Sequence, residues 1–397
     1  MNPHPNPNAG LIGIALAAVL LGSQARAQGN SPGWEVGAVL DVAATSSELA
    51  FGQRDKGLGL GHSDLIARGP LGQHFSAQGT LVAHTSHGKL EAEIEEAWLQ
   101  TRTLPSGWQV RLGRFSSQIG YLNEQHPHSD DFVERPLLYR AFLGGHWFDD
   151  GARVNWTAPT PFYLNLGAEV FRGHELVPDT ASRRNPGAMT LSARLGGDIG
   201  NSHAWQFGLS YLRNRREMAS DEAHGAAHGE EEHDDHDDHD GHDDHDDDHA
   251  HSHGARFSGR NMVLVDAVWK WAPDGNNRER QLRVVAEYAR VTGLNRYASG
   301  SDRHEAMGVS AVWRFSQQFE IGARTDWLRA LAAHEDHFHP VRLREHAVML
   351  AWKPSHAQVL RLQYTTQRNA VRVENPGKRA VQLQYVLSFG AHGAHAF

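Results

Sequence analysis

Cysteine is absent from the 397 residues, which excludes a disulfide framework and any thiolate metal site. Long apolar runs are scarce too. Leu11 to Gly22 is the one such run, too short for a hydrocarbon core about 30 Å thick. It is followed by Ala25-Arg26-Ala27, a small-residue cleavage pattern. Residues 1–27 are therefore expected to be a cleaved signal peptide, and 28–397 the mature chain. Also missing are G-x-S-x-G, H-E-x-x-H and Walker A patterns, so the sequence gives no sign of an enzyme.

Lys and Arg are absent between Glu217 and Ala255, and Asp221 to Asp248 supplies 15 of the 47 acids. The net charge of -9 is thus the property of one segment; elsewhere 32 acids face 38 bases. Nothing in that balance calls for a nucleic-acid partner. The segment's histidines are His224, His228, His233, His236, His239, His242, His245, His249, His251 and His253, with Asp234, Asp237, Asp240, Asp243 and Asp246 among the acids between them. With almost no apolar content, the stretch 217–259 cannot offset the entropy of ordering and reads as a disordered loop. Acids alone would serve a solvated charge loop; the imidazoles are what that reading leaves unexplained. Neutral imidazole and carboxylate are the usual non-thiolate ligands of Zn²⁺ and other divalent metals, so the tract reads as many overlapping weak metal sites.

From Gly33 onward short segments alternate with period two, bounded by Gly, Pro, Asn and Ser. Val36, Ala38, Leu40 and Val42 oppose Glu35 and Asp41; Phe319, Ile321 and Ala323 oppose Glu320, Arg324 and Asp326. Sixteen such segments are expected, near 34–48, 57–68, 73–84, 89–102, 107–114, 150–157, 162–171, 188–198, 204–214, 260–272, 280–291, 302–315, 318–328, 343–353, 356–367 and 380–397. Short turns such as 104–107 and 158–161 alternate with larger loops at 115–149, 172–187, 214–259, 291–301, 328–342 and 368–379. An even strand number, short turns at one rim and long loops at the other predict an all-β, transmembrane antiparallel barrel, with periplasmic turns, extracellular loops and lipid against its outer face. Aromatics support this: Trp34, Trp108, Trp156, Trp313 and Trp352 fall at strand ends on the short-turn side, and Phe171, Tyr211, Tyr288, Trp327 and Tyr364 on the other. The second segment and the segment from Glu91 to Gln100 alternate poorly, and Glu96 after Glu95 suggests a bulge.

The connection 115–149 is longer than a rim loop needs. By analogy with sixteen-stranded porins it is a constriction candidate, in which Glu124, His126, His128, Asp130, Asp131, Glu134, Arg135 and Arg140 would meet permeating ions. Arg111, Arg153, Arg194, Arg283, Arg324 and Arg361 face Glu35, Glu93, Glu95, Glu169, Glu287, Glu320 and Asp326 across an expected wet lumen of mixed sign. A second metal candidate is His334, His337 and His339, with Glu335 and Asp336 beside them.

The stretches FSSQIGYLNEQH (115–126), YRAFLGG (139–145), Asp149-Asp150-Gly151 and the ending GAHGAHAF (390–397) resemble a group of zinc-associated outer-membrane proteins, often labelled zinc-regulated outer-membrane receptors. That group is similar in turn to the phosphate-selective type of porin. The resemblance runs over most of the mature chain and implies a role in zinc uptake. Terminal Phe397 resembles the aromatic end by which barrel-assembly machinery recognises its clients. The reading that follows is an outer-membrane, porin-like channel of a Gram-negative bacterium, alone or as a homo-oligomer, that captures zinc on the external tract. Its rivals are an anion or general-diffusion porin, an energy-coupled zinc receptor, and a metal-buffering surface protein. Against the receptor, only a few residues separate Gln28 from the first strand.

Overall fold

The computed structural model describes residues 33–178, 185–216, 254–334, 337–368 and 377–390. The signal segment, the His/Asp tract with its histidines, Glu335, Asp336 and the ending 391–397 lie outside them.

The alternating segments form strands β1 (Glu35–Thr45), β2 (Gly57–Leu60), β3 (Ser63–Leu71), β4 (Phe75–Ser86), β5 (Lys89–Thr101), β6 (Trp108–Ser116), β7 (Phe148–Thr157), β8 (Tyr163–Phe171), β9 (Ala188–Ile199), β10 (His203–Asn214), β11 (Asn261–Trp271), β12 (Gln281–Thr292), β13 (Arg303–Arg314), β14 (Phe319–His334), β15 (His337–Ser355), β16 (Gln358–Arg368) and β17 (Arg379–Gly390). From β3 onward consecutive strands pair antiparallel, and β1 pairs with β17, Leu40 opposite Leu387, so the sheet closes without an edge. β2 and β3 both lie along β1, with Leu60 opposite Val42 and Asp64 opposite Val39. They are one wall strand interrupted at Gly61-His62, and the barrel is sixteen-stranded.

Closure satisfies the backbone between strands, which is what a wall against hydrocarbon requires. Alternation then puts Leu65, Ile94, Leu112, Leu191, Leu209, Ile321, Val348 and Leu362 on the outside, all exposed. Trp34, Trp108, Trp313 and Trp352 are exposed at the short-turn rim, and Tyr211, Tyr288 and Tyr364 toward the other. Such an apolar band between two girdles of amphipathic rings is stable only with lipid around it.

Two expectations need correction. Phe171 is not in the outer girdle: it turns inward and is buried, packed on Phe115 and Trp147 with ring centroids 5.1 and 5.0 Å away. The expected loop 328–342 is largely strand, because β14 and β15 continue pairing until His334 stands opposite His337. Alternation continues along this extension, with Leu328, Ala330, Val341 and Leu343 buried inward while Arg329, Arg342 and Arg344 face out.

The lumen also differs from a uniformly wet one. Toward the long-loop rim its wall is apolar: Leu212, Met262, Leu264, Ala289, Val291, Ala306, Leu328 and Leu343 form a buried core with loop residues Leu137, Leu138, Phe142, Leu143 and Trp147. The inward face of the strands is apolar there because an inserted segment packs on it.

Candidate functional site within the inward loop

The connection between β6 and β7 folds into the barrel and crosses it. Its short helix α1 (Leu137–Phe142) is buried at every position, and every wall it meets supplies a partner. Gly120 N donates to Ser210 Oγ of β10 at 3.2 Å, and Tyr121 N to Glu287 of β12 at 3.1 Å. Val133 N donates to Gln363 of β16 at 2.8 Å, and Gln382 of β17 donates to Glu134 at 3.1 Å. Polar inward positions of the wall thus satisfy a loop backbone that water cannot reach.

Among the expected constriction residues, Arg140 pairs with Glu345 at 2.5 Å and Arg135 with Asp130 at 2.7 Å. Glu134 accepts from Gln53 N at 2.9 Å. These four loop groups, Asp130, Glu134, Arg135 and Arg140, are buried and anchor the loop. Glu124, His126, His128 and Asp131 keep some exposure. Glu124 lies between Arg153 and Arg194, at 2.8 and 2.7 Å. Burial would raise its pKa, but the two guanidinium groups outweigh this and lower it to about 2. Asp131 pairs with Arg283. Beside it, between the loop and the β12–β14 wall, a small recess is lined by Tyr121, Asp131, Glu134, Arg135, Glu287 and Arg324 among others. Of the other expected lumen pairs, Arg153–Glu169 (2.6 Å) and Arg324–Asp326 (2.7 Å) form, while Glu35 pairs on the exposed rim with Arg68 at 2.7 Å.

Against the β3–β5 wall the loop brings His126 and His128 to groups that sequence reading had not joined to them. His62, Asp64, Glu95 and His126 each turn one ligand atom inward, all within 4.8 Å of one another. His128 Nδ1 stands 3.2 Å from Asp64 and His146 Nδ1 2.5 Å from Glu95. Two irregularities of the wall place the carboxylates. The interruption at Gly61-His62 shifts β3 by one residue; a Cβ at Gly61 would meet the Arg54 guanidinium and the Asp41 carboxylate and force those side chains to shift. In β5, Thr80 faces Glu96 and Leu81 faces Ile94, leaving Glu95 as the extra residue of a bulge. Glu95 and Glu96 are consequently both buried inside.

Burial alone would lower the imidazole pKa here, yet the Asp64 and Glu95 carboxylates raise that of His126 well above the usual histidine range. For His146 burial wins, with Arg135 adding to it, and the value falls to about 4. The Glu95–Glu96 bulge was visible in the sequence; His62, Asp64 and His146 were not, because their convergence is set by the path of the loop. His334, His337 and His339 also meet, with ligand atoms within 4.8 Å, at the exposed tip of the β14–β15 hairpin.

No family model matches the chain. An uncharacterized protein of Aquifex aeolicus (strain VF5) is 28% identical over 372 residues, covering 86% of this chain and 70% of that protein. Among solved structures, Pseudomonas putida OprB superposes with a TM-score of 0.53 at 12% identity, covering 91% of this chain and 94% of the other. The anion-selective porin from Comamonas acidovorans does so at 0.53 and 10% identity, covering 90% and 99%. The fold is that of the outer-membrane porins. A trimer form of OmpT from Vibrio cholerae is also similar, at a TM-score of 0.52 and 9% identity over 90% and 98% of the two chains. At such identities the likeness speaks for architecture and not for cargo.

Proposed function

We propose that this chain is an outer-membrane porin-type channel, narrowed by its inward loop, that admits divalent metal ions, zinc among them. The observation that carries the reading is the set of groups left part-exposed where the loop narrows the barrel: Glu124, His126, His128 and Asp131. Carboxylates and imidazoles can replace the water shell of a divalent cation, while the alternating charges around them keep the passage hydrated. The external tract and the His334, His337 and His339 tip would raise the metal concentration at the mouth, and their weak binding would release it again. Lipid and the barrel-assembly machinery are partners of this reading, and so is a homo-oligomer.

A second reading, an anion conduit, is favoured by Arg111. This inward residue stacks 4.0 Å over Trp98 and donates to Gln100 at 2.9 Å, and makes no ion pair among the described residues. Reversal potentials of the purified protein in a planar bilayer, under a zinc chloride gradient, separate the two. A potential on the cation side supports the metal channel. One near the chloride limit overturns it in favour of the anion conduit.

A further inference from the structure

Three imidazoles of the loop (His126, His128, His146) and three groups of the wall (His62, Asp64, Glu95) face one another inside the barrel. We infer that they form one coordination site for a resident first-row divalent metal ion, which clasps the constriction loop to the barrel wall. The inference rests on the channel reading in taking the loop as the narrowing; it assigns His126 and His128 to a resident ion that is a structural fastener and not the cargo, and leaves Glu124 and Asp131 to the passage.

Geometry makes the first argument. His126 Nδ1 is 2.9 Å from Asp64 and 3.1 Å from Glu95; His62 Nε2 is 3.3 and 3.2 Å from the same carboxylates. Bonds of about 2.0–2.2 Å from a zinc ion to nitrogen and oxygen place neighbouring ligand atoms about 2.8–3.1 Å apart in an octahedron and about 3.3–3.6 Å apart in a tetrahedron. These four separations lie within or between those two ranges. Hydrogen bonding does not account for most of them. Both oxygens of Asp64, Glu95 Oε1, and the Nδ1 atoms of His126, His128 and His146 are buried and make no hydrogen bond. These atoms stand close to one another without hydrogen-bond geometry between them. Buried polar atoms in that condition call for an occupant.

Surrounding groups complete the case. Ser116 Oγ lies 3.0 Å from His146 Nε2, and Glu96 lies 3.7 Å from His126 Nε2. Ser116 thus holds the His146 nitrogen that does not face the cluster, leaving Nδ1 free to donate to a metal, as outer partners of ligating histidines do, and Glu96 stands at ion-pair distance from the corresponding nitrogen of His126. Glu96 is itself held by Gln78 at 2.5 Å. A set of imidazoles and carboxylates without thiolate suits Zn²⁺ or a neighbouring transition ion; Ca²⁺ and Mg²⁺ prefer oxygen alone.

The test uses the folded full-length barrel lacking residues 230–253, so that the external tract contributes no metal. After dialysis against zinc and then metal-free buffer, elemental analysis is expected to find one tightly held ion per chain. Asp64→Asn with Glu95→Gln, or His126→Gln alone, should weaken binding by at least about tenfold while the barrel stays heat-modifiable. Because the chain has no cysteine, Ala141→Cys gives a single thiol in the buried helix α1. Chelation should speed its labelling and change single-channel conductance, and neither effect should occur in the ligand variants. A folded protein that retains no ion overturns the site. An ion that is retained but whose removal alters neither labelling nor conductance overturns the clasp and leaves the channel reading standing. A clasp that behaves as described in a protein without cation selectivity overturns the channel reading alone.

Discussion

Arg140 of the inward helix and Glu345 of β15 meet at 2.5 Å inside the barrel, both side chains almost wholly buried. Glu345 also receives Arg324 at 2.6 Å and Gln367 at 2.7 Å, so one carboxylate neutralises two guanidinium groups from the loop and the wall. Removing it should cost more than removing either base. Glu345→Gln is expected to lower stability by about 3–5 kcal/mol, the usual effect of leaving a buried charge without its partner. Arg140→Met should cost less, since Arg324 stays paired. Denaturant midpoints in detergent check the order; equal effects would mean that the loop is not anchored through this carboxylate.

The Glu124 tether has a definite pH window. Its folded pKa, about 2, lies below the unfolded reference of about 4.3, so the stabilisation is fully present above about pH 4.3 and is lost as pH falls through about 2. Fluorescence of Trp147, a buried residue of the loop itself, should therefore hold steady from neutral pH down to about 4 and change only below that. In Glu124→Gln the acid-linked change should disappear. A wild-type transition centred near the ordinary glutamate value would show that Arg153 and Arg194 do not hold the group.

Much of the barrel was legible because lipid forces one face of each strand to be apolar while the other faces a polar lumen, and that contrast survives as alternation. Where the contrast fails, sequence reading fails with it. Leu212, Leu264 and Ala289 point inward yet are apolar, since an inserted loop covers them. The irregular alternation at Glu95–Glu96 was readable as a bulge, and it marks the wall beneath the His126 cluster. The partners of that bulge were not readable. His62 and His146 come from a strand interruption and a loop end, and no periodicity links residues whose meeting depends on tertiary packing alone.

The histidine tip of the β14–β15 hairpin is exposed, and its ligands have no burial to oppose competition from water. We expect a weak, rapidly exchanging metal site. Replacing His334, His337 and His339 by Ala should remove one weak binding phase in calorimetry and shift stability by no more than about 0.5 kcal/mol, as is usual for surface changes. Loss of the barrel fold in this variant would assign the trio a structural role instead.

The external tract offers the sharpest contrast between chemistry and bulk charge. If its imidazoles capture zinc, deleting residues 230–253 should leave the barrel folded, because the strands on either side, β10 and β11, pair directly from Arg213–Asn261 to His203–Trp271. Calorimetry should then lose most of the weak zinc binding. Binding by the intact tract should fall as pH drops through about 6.5, because a protonated ring has no lone pair to donate. The interleaved aspartates remain ionised over that interval, so a mechanism resting on acids alone predicts little change. Replacing every tract histidine by Gln while keeping the acids separates the two accounts at neutral pH. Zinc binding and zinc-limited growth that both survive the replacement would mean that the tract acts only as a solvated, cation-attracting surface.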